Sequence, residues 1–124
     1  MILAPLLGTA LIIAVATDPL TDLTATPRPS AQERAAATEP LVRSATECIV
    51  HAVIADPRYA AAGPNARLGD LIVDSMPVCL APVRAMIAAY DQCYGEGTGE
   101  AFFMGPYLDV LPKAVVAGAR NTRQ

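Results

Sequence analysis

An all-α fold is predicted: a small irregular bundle of three to five helices with proline-induced breaks, clasped by one disulfide. Three features of the sequence predict it. Apolar residues recur at helical spacing in several stretches, no alternating stretch is long enough for a strand, and the apolar content is rich in alanine. Hydrophobic residues make up 53% of the 124, with 5% aromatic and no tryptophan, a composition suited to close helix contacts. A chain of this length builds one core.

Residues 1–16, MILAPLLGTALIIAVA, contain no charged side chain and end in Ala14-Val15-Ala16, an A-x-A pattern of small residues. They read as a secretory signal, although no Lys or Arg precedes the apolar run. Asp18-Pro19 ends that run short of the roughly 20 residues a membrane span needs. Cleavage after Ala16 leaves 124 − 16 = 108 residues, exported to the periplasm or secreted, with no membrane span.

Residues 17–37 read by composition as a flexible linker, within which Ser30-x-x-Glu33 has the spacing of a capping box and starts a short helix. The helical domain, 38–119, is expected to open at Thr38-Glu39-Pro40, where Thr38 caps, Glu39 suits the helix dipole and Pro40 occupies the first turn. Leu41, Ala45, Cys48, Ile49 and Ala52 share one face of that helix, while Val50 and Ile54 form a second apolar strip. A helix apolar on two sides belongs at the centre of a bundle. Asp56-Pro57 stops it, and Arg58 to Asn65 reads as a connection with a Gly63-Pro64-Asn65 turn.

Leu68 to Met76 forms a short helix with Leu68, Leu71, Ile72 and Ser75 on one side, and Pro77 sets a break between Asp74 and Leu80. Beyond it lies the clearest stripe in the chain: Cys79, Val83, Met86, Tyr90 and Cys93, widened by Ile87 and Tyr94. Gly95 is expected in the left-handed conformation that ends helices. Gly95 to Glu100 is a connector with Thr98 as a cap. Gly105-Pro106 interrupts the Ala101–Met104 segment, and Pro106 opens a last helix marked by Leu108, Leu111 and Val115. Pro112 is expected to kink or restart it, and 120–124 is a polar tail.

The net charge of −3 and pI of about 4.9 exclude nucleic acid as a partner on electrostatic grounds, and likewise an anionic membrane surface. In an oxidising compartment two of the three cysteines pair. Cys79 and Cys93 lie about 21 Å apart along one helix, beyond the roughly 7 Å limit between bridged Cα atoms. Cys48 is therefore one partner. Folding the second helical arm back along the first favours Cys48–Cys79 over Cys48–Cys93 and leaves Cys93 a free thiol.

Cys48-x-x-His51 and Met76-x-x-Cys79 are two soft-ligand pairs that would suit Cu(I) if they converged, so metal handling through Cys48, His51, Met76 and Cys79 is the main alternative. A Cys48–Cys79 bridge works against it by removing both thiolates. A small enzyme would have to use His51, the single histidine, and no G-x-S-x-G or Cys-x-x-Cys motif supports one. Glu96 and Glu100 would repel a phosphate from the glycine-rich connector, and Gly-Lys-Ser/Thr is missing. Tyr94, Phe102, Phe103 and Tyr107 cluster in sequence and are candidates for a partner contact. The expectation is thus a small exported helical protein with a non-catalytic binding or structural role and no cofactor. Its expected partner is another envelope or periplasmic protein, or a second copy in a homodimer.

Overall fold

The computed structural model describes residues 29–62 and 65–123, whose regular structure is all helical. Its elements are α1 (Ala31–Ala55), α2 (Pro57–Ala62), α3 (Leu68–Ser75), α4 (Leu80–Tyr94), α5 (Thr98–Phe102), a π-helical turn (Phe103–Tyr107) and α6 (Leu108–Arg123). Because α5, the π turn and α6 follow one another without a gap, the described residues make five helical runs and no strand. The leader, the first part of the linker and the Gly63-Pro64 turn lie outside the described residues.

The long helix begins earlier than the linker boundary at residue 37 allows. Ser30 Oγ accepts from the Glu33 amide at 3.1 Å, and the Glu33 carboxylate accepts from the Ser30 amide at 3.3 Å. This reciprocal cap satisfies two of the amides a helix start leaves free. Arg34, one turn in, lies 5.2 Å above the Tyr94 ring and gives that turn a tertiary contact. Thr38 is therefore not a cap. It is buried inside α1, where its hydroxyl donates to the Arg34 carbonyl at 2.9 Å. Pro40 also lies within the helix. It deprives the Ala36 carbonyl of a donor, and both residues are exposed, so water can replace the lost bond.

As expected, α1 is central: it touches α2, α3, α4 and α6. Along it α4 runs antiparallel, bonded through Cys48–Cys79 at one end and stacked under Arg34 at the other. Along a second side α6 runs in the same direction as α1, with Tyr107 against Thr46 and Gly118 against Val50. The core between them comprises Ala45, Ile49 and Val53 of α1, Leu71 and Ile72 of α3, Cys79, Val83 and Met86, and then Tyr107, Leu111 and Val115.

The connection after Asp56 folds into α2, because the Asp56 carboxylate accepts from the Arg58 amide at 2.9 Å and Pro57 occupies a first-turn position. Gly95 does have positive φ (115°), but with ψ of 153° it is extended, and Gly97 takes the left-handed conformation (φ 88°, ψ −14°). Thr98 serves the helix before it rather than the one after, its hydroxyl lying 3.0 Å from the Tyr90 carbonyl and 2.6 Å from that of Gly95. Gly99 is buried against α4, where any side chain would meet the Ile87 carbonyl, and its amide donates to the Asp91 carboxylate at 2.8 Å.

Neither late proline ends a helix. In the π turn the amide of Tyr107, one residue past Pro106, serves the Phe102 carbonyl that Pro106 cannot. Pro112 lies inside α6, which continues through it without a restart, with fully buried Leu111 and Val115 anchoring it on both sides of the ring. The expected polar tail is helical as far as Arg123.

Candidate functional site

The second apolar strip of α1 does not enter the core. Val50 and Ile54 are half-buried and face α6, which presents Ala114, Ala117, Gly118, Asn121 and Thr122 at i, i+3, i+4, i+7 and i+8. A side chain at Gly118 would start 2.5 Å from Val50 Cγ1, so the Val50 side chain packs directly on the α6 backbone there. Small residues on one wall opposite branched residues on the other leave an open groove of about 510 Å³. Arg43, Glu47 and His51 project at its α1 edge. A second, smaller groove of about 390 Å³ lies on the other side of Ala117, between α6 and Leu68, edged by Lys113 and Arg120.

One end of the larger groove is fixed by a buried polar contact. Thr46 Oγ1 donates to the Val42 carbonyl at 2.6 Å, so the hydroxyl of Tyr107, 3.0 Å away, must be the donor to Thr46. Burial raises the Tyr107 pKa above the ordinary tyrosine value, and this hydrogen bond only partly opposes the rise.

The structure separates the candidate partner residues. Tyr107 is 1% exposed and fills the core, so the expectation of a surface contact there is corrected: the π turn rotates its side chain inward. Phe102 and Phe103 are half-buried, whereas Tyr94 is exposed. Together they form a ladder in which Tyr90 stacks on Phe102 at 4.1 Å, Tyr94 follows Tyr90 at 5.1 Å, and Tyr107 lies 5.6 Å from Phe102 and 5.9 Å from Phe103. Most of this aromatic surface is turned to internal packing. Desolvation raises the Tyr90 pKa as well, with a smaller contribution from neighbouring Tyr94.

Cys48 and Cys79 are bonded, with Cα atoms 5.8 Å apart, and Cys93 remains a free, half-buried thiol. Of the four Cu(I) candidates the oxidised protein therefore offers only His51 and Met76, and copper would need the bridge reduced first. No group of three His, Cys, Asp or Glu side chains able to hold a metal occurs among the described residues. His51 is exposed at the groove edge. Arg58, the one cation in ion pairs among the described residues, bridges Asp56 at 2.9 Å and Asp74 at 2.8 Å. Its hydrogen bonds hold the Asp56 carboxyl below the usual carboxylate range.

Sequence reasoning found one wall of the groove, the Val50/Ile54 strip, but missed the other. The face of α6 from Ala114 to Thr122 carries only small and polar residues, which read as a solvent face until α1 is laid against it. No protein-family model, curated protein or solved structure matches this chain, and its site is therefore read from geometry alone.

Proposed function

We propose that this chain is an exported, non-catalytic binding module that holds a helical segment of another envelope protein in the groove between α1 and α6. The observation that carries the proposal is the second strip of α1, which α6 covers only in part. Val50 and Ile54 remain half-buried after every described element has packed, which leaves the central helix short of one neighbour. The groove has the dimensions of a helix seat. Its α1 wall, from residue 43 to 54, is about 17 Å long and its α6 wall, from 114 to 122, about 12 Å, room for two to three helical turns. Apolar residues at i/i+4 spacing floor it and polar residues rim it, as in grooves that accept amphipathic helices.

Export is supported by the apolar leader and by a disulfide of the kind that persists in oxidising compartments. A photo-reactive amino acid at Ala117, which is exposed and lines both grooves, tests the binding role in the producing cell. The expected result is one discrete cross-linked protein, joined through a helical segment, and none from the same probe at exposed Arg84, outside the groove. Equal cross-linking from both positions, or from neither, overturns the proposal.

A further inference from the structure

The two grooves beside Ala117 carry a charge pattern unlike that of the chain as a whole. Along their edges stand three cations, Arg43, Lys113 and Arg120, and one carboxylate, Glu47, a local balance of plus two. The complete chain carries −3. All four side chains are exposed, and none joins an ion pair among the described residues. The cations flank the apolar floor: Arg43 stands on the α1 edge, and Lys113 and Arg120, two turns apart on α6, stand on the far side of Ala117.

From this pattern we infer that the occupant is an amphipathic helix with acidic flanks, apolar anchors seated on Val50, Ile54 and Ala117 and carboxylates reaching Lys113 and Arg120. The inference rests on the proposed binding role and names the partner's chemistry. A helix laid in the groove buries its i, i+3/i+4, i+7 residues and leaves its flanking positions over the edges, where charge decides which sequence is accepted. A basic helix would place like charges against three unpaired cations. An acidic helix neutralises them and is also steered in by their field. An anionic lipid surface shares the attraction to cations, but a groove of two to three turns between two helices fits one rod and not a plane, so the helix is the occupant argued for.

The test uses the purified disulfide-bonded chain and two designed 15-residue helical peptides. Both carry Leu at positions 4, 8 and 11; one is flanked by Glu and the other by Lys. Fluorescence anisotropy should show the Glu peptide binding about tenfold more tightly than the Lys peptide at low salt, as a few exposed charge pairs allow, with the gap closing in high salt. Lys113→Glu with Arg120→Glu should reverse the preference, and Ala117→Trp, at an exposed position, should weaken both peptides while the circular dichroism stays native. Equal binding of the two peptides, still blocked by Ala117→Trp, removes the acidic preference and leaves the groove reading standing. Binding of neither peptide overturns the helix as occupant. Binding of the chain to phosphatidylglycerol vesicles in preference to the Glu peptide assigns the cations to a membrane instead.

Discussion

Tyr107 shows how much one side chain can carry in a core this small. It is the largest of the fully buried residues, and its hydroxyl is satisfied only by Thr46, itself committed to the Val42 carbonyl. Tyr107→Phe should cost about 1 kcal/mol, the usual net value of such a bond, with the fold and near-ultraviolet dichroism otherwise retained. A pH dependence follows from the same burial. The folded chain keeps the phenolic proton above the ordinary pKa of 10.0, where the unfolded chain has begun to lose it. The folded state then binds more protons, so stability is full below about pH 10 and declines as pH rises further. Urea denaturation at pH 8 and pH 11 should show a smaller loss in Tyr107→Phe than in the native chain, with the remainder from Tyr90. At this scale the cysteines were legible and the aromatics were not. Helix length alone forbade Cys79–Cys93, whereas the orientation of Tyr107 depends on one residue gained in a π turn that leaves no periodic trace.

At the scale of elements, the contest was between local start signals. Ser30-x-x-Glu33 and Thr38-Glu39-Pro40 are both credible helix openings, and sequence rules favour the one with the proline. The earlier cap prevails because its turn gains the Arg34–Tyr94 contact from α4, which no local rule contains. Ser30→Ala should therefore cost about 1 kcal/mol and raise amide exchange in residues 31–37 while leaving residues 45–55 protected. Uniform exchange along α1 in that variant would show the cap to be idle. The prolines divide the same way. Pro57 and Pro77 stand at chain breaks as read, Pro57 opening α2 after Asp56 and Pro77 lying in the turn between α3 and α4. Pro106 and Pro112 were expected to interrupt, yet Tyr107, Leu111 and Val115 keep the run seated on the core through both.

At the scale of the molecule, the disulfide joins α1 to the start of α4, the helix that α1 packs against most extensively. It spans a separation of 31 residues, and in the loop-closure view such a bridge contributes about 3–4 kcal/mol. A single domain of this size has a total stability near 5–15 kcal/mol. Cys48→Ala with Cys79→Ala should accordingly lower stability by several kcal/mol in urea titrations, with a steep fall in melting temperature. A loss under 1 kcal/mol would mean that α1 and α4 hold together by packing alone. Intact mass of natively produced protein tests the export proposal alongside: loss of residues 1–16, and a gain of two hydrogens on reduction, are the expected values.

By itself the sequence determined the helical class, the central place of α1, the break at Pro77 and the exclusion of a Cys79–Cys93 bridge. Each follows from spacing along a single helix or from the reach of a covalent bond, which are properties of the chain alone. The fold-back of α4 along α1 then selects Cys79 as the partner of Cys48. Only the tertiary structure decided where α1 begins, that Tyr107 faces inward, and that a small-residue face of α6 meets Val50 and Ile54 to form a groove. Those outcomes depend on what stands opposite: a carbonyl, a ring or an empty trough is supplied by a different element, and the free energy of the contact exists only once both are in place.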